Sequence, residues 1–119
     1  MKAFVRNADI YELIAPGKWA NRVSAYLLRY SGEDGLSMGL RFEDPADYST
    51  SPFEIAVYAN QELVSRLIIS EGGEQSFYMP LGDIQGETLE LSLVCNAHII
   101  SVDPEHLRCF MVLNLQLEQ

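Results

Sequence analysis

The segments TLELSLVC (residues 88–95) and MVLNLQLE (residues 111–118) decide the fold class of this chain. In both segments leucines recur at every second position, which is the period of a strand with one buried and one solvated face. In the second segment Met111, Leu113, Leu115 and Leu117 are predicted to share the buried face. Sheets with one dry side are typically antiparallel and pack that side against a second layer. The two segments therefore predict an antiparallel sheet folded against another sheet.

Other period-two or apolar runs predict further strands at 10–15, 19–30, 36–42, 53–59, 63–69 and 76–81. Turn sequences separate them at 16–17, 31–35, 60–61 and 71–74. The run 19–30 is apolar on both faces, which predicts a central strand or one that a loop shields. Two longer irregular segments, 43–52 and 96–106, remain, and a short helical turn is expected near 104–107. This pattern predicts an all-β protein: a single antiparallel β-sandwich of jelly-roll type, with eight or nine strands, over residues 1–119.

Composition and charge restrict the partners of the chain. It has 119 residues, 48 % of them apolar, and 17 acidic against 8 basic residues, which gives a net charge of −9. Nucleic acids and anionic membranes bind through clustered Lys and Arg, and the sequence has no basic run. It also has neither the apolar region of a secretory signal nor an apolar run of transmembrane length. We therefore expect no nucleic acid partner, no membrane insertion and a cytoplasmic location, either as an independent protein or as part of a larger one.

The four Cys and His residues of the chain lie within fifteen positions, at Cys95, His98, His106 and Cys109. This spacing is compatible with a tetrahedral zinc site, although zinc spacings usually pair Cys with Cys. Both cysteines fall in the apolar phase of their strands, which instead predicts two buried thiols that act as small hydrophobic side chains. We expect no metal and no cofactor, and zinc analysis of the purified protein decides between the two readings.

Catalytic signatures are not found in the sequence. No serine lies in a Gly-x-Ser-x-Gly turn. The paired acids at 43–44 and at 103 and 105 read as solvated loop residues in a chain this acidic. The two glycines at 72–73 are flanked by Glu71 and Glu74, which would repel phosphate. We expect no catalytic residues and no enzymatic activity.

Aromatic residues are the remaining functional signal, because an exposed ring can stack on the apolar C–H face of a sugar while polar groups contact its hydroxyls. Trp19 beside a turn and Tyr48 in the longest polar loop are the candidates, with Tyr48 expected to be exposed. Tyr58, Asn60 and Arg66 are predicted to share a neighbouring surface. The alternative for Trp19 is a core position, since its large area stabilises packing.

The order of features from about residue 11 to residue 117 resembles a β-sandwich accessory module attached to bacterial glycosyltransferases that build cell-surface glycans. The matching pieces are 17–19 (Gly-Lys-Trp), 25–27 (Ala-Tyr-Leu), 57–60 (Val-Tyr-Ala-Asn), 79–81 (Met-Pro-Leu), 89–93 and 103–108, with an acidic-Gly turn before 79–81. The sequence departs from the family pattern in three places, where Gln61 and Arg108 replace a Gly and Glu105 replaces an Arg. The resemblance implies a carbohydrate-binding-like module without catalytic activity.

Two functions follow as expectations. The first is a non-catalytic accessory module linked to surface-glycan biosynthesis that binds a saccharide through Trp19, Tyr48, Tyr58, Asn60 and Arg66. The second is a protein-interaction or structural β-sandwich that self-assembles through an edge strand or an apolar face, or that binds a partner protein. The second is suggested because edge strands are usually protected by Lys, and the chain has only Lys2 and Lys18. A homo-oligomer is expected in that case.

Overall fold

The computed structural model of the protein describes residues 19–21, 23–100 and 108–119, and the side chains from Ser24 onward. The strands within these residues are β1 (Trp19–Asn21), β2 (Val23–Arg29), β3 (Gly35–Phe42), β4 (Phe53–Ala59), β5 (Glu62–Ile69), β6 (Gly73–Pro80), β7 (Thr88–Cys95) and β8 (Arg108–Glu118), with one 3-10 turn at Pro45–Asp47. The predicted strand at 10–15 and the predicted helical turn at 104–107 lie outside the described residues. Strands β4 and β7 have the predicted bounds, and β6 begins three residues earlier than predicted.

The strands form two four-stranded antiparallel sheets. Sheet I has the order β1-β8-β3-β6, and sheet II has the order β2-β7-β4-β5. Strand β1 pairs with β8, β2 with β7, β3 with β6 and β4 with β5. The chain is therefore one long antiparallel hairpin with its tip between β4 and β5. The additional pairings of β3 with β8 and of β4 with β7 show that this hairpin is rolled into the two sheets.

One hydrophobic core lies between the sheets and confirms the sandwich-like, all-β arrangement that the sequence predicts. Every described strand from β2 to β8 contributes residues to it, and within β3, β4 and β7 these alternate because side chains in a strand point to opposite faces in turn. Its fully buried members include Leu36, Met38, Leu40 and Phe42 of β3, Ile55 and Val57 of β4, and Leu89, Leu91 and Leu93 of β7. Burying each of these side chains contributes about 1.5–3 kcal/mol to the free energy of unfolding.

The run 19–30 is not the single central strand that its two apolar faces predict. Its first part is β1 in sheet I, and its second part is β2, which is an edge strand of sheet II. Tyr26 and Leu28 face the core, and Leu27 on the other face is also buried, at 7 % exposure. The apolar pattern therefore predicted correctly that side chains on both faces of β2 are buried. It did not predict that β2 lies at the edge of its sheet, with a strand on one side only.

The last strand changes phase at a β-bulge. In the pairing of β3 with β8 the register shifts between Gly39 and Leu40, so that Asn114 opposes Gly39 and Val112 opposes Leu40. The single buried face predicted for Met111, Leu113, Leu115 and Leu117 is therefore wrong in its first half. Phe110 and Val112 are buried there instead, while Leu115 and Leu117 are buried as predicted. A bulge inserts one residue and reverses the alternation beyond it, which a period-two pattern does not reveal.

The predicted tight turn between β4 and β5 is confirmed. Ala59 pairs with Glu62, which leaves Asn60 and Gln61 as a two-residue loop. Both have positive φ, 49° and 73°, as in the type I′ turn whose twist matches that of the flanking strands. Asn tolerates this backbone region well, whereas Gln is less favoured there.

Candidate functional site

Tyr48 lies in the core, so its predicted exposure is wrong. The side chain is 4 % exposed, and its ring stacks on Phe53 with a centroid distance of 4.1 Å and an interplanar angle of 22°. Its hydroxyl donates a hydrogen bond to the carbonyl oxygen of Cys109 and accepts one from the backbone N–H of Glu43 at 3.2 Å. Burial raises the pKa of this hydroxyl. The ring is not available as a stacking platform.

Backbone hydrogen bonds with residues 98–100 hold the polar loop that contains Tyr48 against the core. Tyr48 forms an isolated antiparallel bridge with Ile99, and the N–H of Ile100 donates to the carbonyl oxygen of Asp47 at 2.7 Å. On the other side, the N–H of Ser49 donates to the carbonyl oxygen of His98 at 2.8 Å. The burial of Tyr48 could not be predicted from the hydrophilic composition of this loop, because one aromatic residue among polar residues gives no periodic signal.

Tyr58 and Arg66 share the outer face of sheet II, and the side chains of Arg66 and of Asn60 in the adjoining turn already have hydrogen-bond partners. Arg66 donates to the Glu54 carboxylate at 3.0 Å. The Asn60 side chain accepts a hydrogen bond from the N–H of Glu90 at 2.8 Å and so connects the β4–β5 turn to β7. Tyr58 is half-buried. This surface therefore reads as a set of cross-strand contacts rather than an open binding site.

Trp19 lies in β1, an edge strand of sheet I, where it pairs with Met111 of β8. Its side chain is outside the described residues. The strand placement separates it from Tyr58, Asn60 and Arg66, which belong to sheet II and its turn. The five predicted site residues thus do not form one surface.

The outer face of sheet I combines an exposed aromatic ring with polar side chains, and we call it the Tyr78 face. Its members come from three adjacent strands: Gly35, Ser37, Gly39 and Arg41 of β3, Glu74, Ser76 and Tyr78 of β6, and Asn114 and Gln116 of β8. They face outward because the residues between them on β3, such as Leu36 and Met38, enter the core. Tyr78 is 60 % exposed, although it lies in a strand.

Glycine at position 35 lets the Tyr78 ring lie down on the sheet. A Cβ placed there would overlap the hydroxyl-bearing end of the ring, so the ring occupies the space that any other residue would fill. Gly39 has the same relation to Asn114, whose side-chain nitrogen would be 2.7 Å from such a Cβ. The two glycines therefore keep the middle of the face low, with a ring and an amide lying across it.

The register of sheet I orders these groups into rows. Ser37 lies opposite Tyr78 on one side and Gln116 on the other, and Gly39 lies opposite Ser76 and Asn114. At one end of the face, Arg41 lies opposite Glu74. Hydroxyl and amide groups both donate and accept hydrogen bonds, so this surface can bind a ligand rich in hydroxyls.

A separate groove of about 770 Å³ lies at one end of the sandwich. It is lined by Arg29, Tyr30, Ser31, Gly32, Ile84, Gly86, Glu87 and Thr88. Its one aromatic residue, Tyr30, is buried and donates its hydroxyl to the carbonyl oxygen of Glu33 at 3.0 Å. The groove therefore lacks the exposed ring that the Tyr78 face presents.

The two cysteines are buried, as predicted. Cys95 is 2 % exposed and Cys109 is fully buried, and the Cys109 thiol donates a hydrogen bond to the carbonyl oxygen of Ala97 at 2.7 Å. His98 is half-buried, and His106 lies outside the described residues. Among residues 19–21, 23–100 and 108–119, no three His, Cys, Asp or Glu residues are grouped so that they could hold a metal ion.

Sequence comparisons add no relative to this description: no protein-family model matches the chain, and the search of curated proteins found no match. In the part of the chain that the structure describes, no helix has the length and apolar character needed to cross a membrane.

The sequence contains a weak signal for the Tyr78 face, which is the pattern of small residues on β3. In the strand sequence GLSMGLRF (residues 35–42), the outward positions begin with Gly, Ser and Gly, which are small and unusual on a solvated strand. Glycine inside a strand often marks the close approach of another group. The group that approaches is Tyr78, 43 positions away in sequence, and the pairing of β3 with β6 is needed to identify it.

Proposed function

We propose that this chain is a jelly-roll domain and a non-catalytic accessory module that binds a saccharide on the Tyr78 face. The jelly-roll assignment is supported by the strand pairing, in which first pairs with last, second with seventh, third with sixth and fourth with fifth. That is a single hairpin folded across two sheets, the two-Greek-key arrangement of a jelly roll. The fold alone does not define a ligand, so the site carries the functional argument.

The observation that carries the proposal is the exposed Tyr78 ring lying over Gly35 and next to hydroxyl and amide groups. A ring lying on the sheet offers its outer face to the C–H surface of a sugar, which is an apolar contact of defined geometry. Ser37 and Gln116, the next groups across the sheet, can exchange hydrogen bonds with sugar hydroxyls. The proposal assigns binding without catalysis because the centre of the face consists of a ring, amides and hydroxyls.

Biological context is part of the same proposal. The resemblance to modules attached to glycosyltransferases supports a role in surface-glycan biosynthesis, in which a non-catalytic domain holds a growing or acceptor glycan. A cytoplasmic location is part of the same proposal.

A glycan array tests this function with three proteins: the wild type, Tyr78→Ala and the matched control Tyr58→Ala. Tyr58 is also a strand tyrosine on an outer face, but it belongs to sheet II. Loss of one stacked ring removes about 1.5–3 kcal/mol of apolar contact, so Tyr78→Ala should weaken binding about tenfold or more. Unchanged binding by Tyr78→Ala, or equal loss in both variants, contradicts the site.

A protein-interaction role is the second candidate function, and one observation favours it. Leu63 and Ile68 are 44 % and 62 % exposed on β5, an edge strand of sheet II. Exposed apolar groups on an edge strand can pair with another chain. If the chain self-associates through this edge, Ile68→Glu should convert an oligomer into a monomer in light scattering. A wild-type protein that is already monomeric at high concentration contradicts this role.

A further inference from the structure

We infer that the ligand of the Tyr78 face is an uncharged, extended oligosaccharide that lies along β3, rather than a single sugar or an acidic glycan. This inference rests on the proposed function and specifies the substrate class of the same site. It follows from the spacing of the polar groups, from the flatness of the central strand and from the charges around the face.

The spacing of the polar groups requires a ligand longer than one sugar. Tyr78 is in register with Ser37, whereas Ser76 and Asn114 are in register with Gly39, two residues further along β3. Two residues of a strand correspond to about 7 Å, and the path from Gly35 to Gly39 is about 13 Å long. A sugar stacked on the Tyr78 ring covers the first of these rows, and a chain of several units is needed to reach the Asn114 amide.

The small residues at the outward positions of β3 let an oligosaccharide lie along this strand. Three successive outward positions of β3 carry Gly, Ser and Gly, and β3 lies between β6 and β8 within sheet I. The side chains that cross this path, Tyr78 and Asn114, do so by lying in the space above the glycines. An extended ligand lying along β3 can therefore contact the ring, hydroxyl and amide groups in sequence.

Charge favours a neutral ligand. The chain has a net charge of −9, and the Arg41 cation of the face lies opposite Glu74. Glu118, opposite Gly35, adds a further carboxylate at the other end of β3. A uronic acid or phosphorylated glycan would approach a surface of its own sign, which costs free energy and slows association. Amide and hydroxyl groups, which carry no charge, fit the hydroxyls of a neutral sugar.

Gly39→Val is the variant that separates a long ligand from a short one. A side chain at this position would displace the Asn114 amide and form a ridge across the path, one row beyond Tyr78. Valine is well tolerated in strands, and thermal unfolding of the variant checks that the fold is retained. The ridge should block the far part of a long ligand and leave the contact of a disaccharide with Tyr78 unchanged.

The experiment is calorimetric titration with neutral oligosaccharides of β-1,4-linked glucose, β-1,4-linked mannose and β-1,3-linked glucose, from disaccharide to hexasaccharide, and with oligogalacturonates of the same lengths. We expect at least one neutral series to bind, with affinity rising about two- to tenfold for each unit that adds a hydrogen bond. In Gly39→Val this dependence on length should disappear, and the oligogalacturonates should bind more weakly than the neutral series.

The outcomes distinguish this inference from the function on which it rests. Equal affinity for disaccharide and hexasaccharide, stronger binding of oligogalacturonates, or a length dependence that persists in Gly39→Val overturns the inference while saccharide binding stands. Absence of binding to every series and to the glycan array overturns both.

Discussion

The hydroxyl of Tyr48 donates a hydrogen bond to the backbone carbonyl of Cys109, 61 positions further along the chain. This contact joins the loop between β3 and β4 to the last strand of sheet I. The same hydroxyl accepts a hydrogen bond from the N–H of Glu43, and the ring stacks on Phe53, which in turn meets Phe42 edge-on at a centroid distance of 5.7 Å. A polar loop is thereby closed over one end of the core by a single aromatic side chain.

Removal of the Tyr48 hydroxyl should destabilise the fold without changing its architecture. In Tyr48→Phe the ring stays, but the carbonyl of Cys109 and the N–H of Glu43 lose a partner. Such a loss at a buried site costs about 1–3 kcal/mol, which lowers Tm by about 4 °C or more. Calorimetry measures this shift, and Tyr58→Phe on the outer face of sheet II is the control, with an expected change below about 0.5 kcal/mol. If Tyr48→Phe has the same Tm as the wild type, the hydrogen bonds of the Tyr48 hydroxyl do not stabilise the fold.

Alkaline pH should destabilise the protein through its buried tyrosines. Burial raises the pKa of Tyr26 from 10.0 to about 12, against a smaller opposing effect of its hydrogen bond with Ser24. Below pH 10 the hydroxyl is protonated in both the folded and the unfolded state, so the stability is unaffected. Between pH 10 and about 12 the unfolded chain loses this proton and the folded chain keeps it, so the free energy of unfolding falls by about 2–3 kcal/mol.

Urea unfolding below pH 10 and at several values above it measures this slope. Tyr26→Phe should flatten the slope, and Tyr48→Phe should do so too because burial also raises the pKa of Tyr48. Tyr78→Phe is the matched control, since that side chain is 60 % exposed. The prediction concerns the slope and not the absolute stability, which each variant changes for other reasons. A slope that is equal in all four proteins contradicts it.

The β4–β5 turn offers a stabilising substitution. Gln61 has a φ of 73°, a backbone region that costs a residue with a Cβ about 1–2 kcal/mol. Gly adopts this region freely but loses more conformational entropy on folding, so Gln61→Gly should raise the free energy of unfolding by about 0.5–1 kcal/mol. Urea unfolding measures the gain, and Gln61→Ala, which keeps a Cβ, should show none. An equal gain in both variants would mean that the free energy of unfolding rises because the Gln61 side chain is lost, and not because backbone strain is relieved.

The fold class could be predicted from local sequence because one-sided burial imposes a period of two on each strand. That signal located β3, β4, β5 and β7 with nearly correct bounds. It could not locate the bulge near Leu113 or the division of residues 19–30 between the two sheets, since both depend on which strands lie side by side. Strand pairing in a rolled hairpin joins residues far apart in sequence, and alternation contains no information about it.

The candidate site was harder to predict for the same reason. The sequence predicts that Tyr48 is exposed because its neighbours in sequence are polar, yet its neighbours in space are Phe53 and Cys109. Tyr78 gave no special signal because it alternates with Met79 like any strand residue. Its exposure and its position over Gly35 become visible only once β3 and β6 are paired.

A double-mutant cycle tests the contact between Tyr78 and Gly35 independently of any ligand. In the wild-type background, Gly35→Ala places a Cβ against the end of the Tyr78 ring and forces that ring off the sheet. The usual gain of about 0.4–1 kcal/mol from replacing Gly by Ala should then be absent or reversed. In the Tyr78→Ala background the space is vacant, and the same substitution should show that gain. Urea unfolding of the four proteins gives the coupling energy, which we expect to exceed about 0.5 kcal/mol. Additive effects within error would mean that the ring does not rest on Gly35, and the flat stacking surface proposed for saccharides would lose its structural basis.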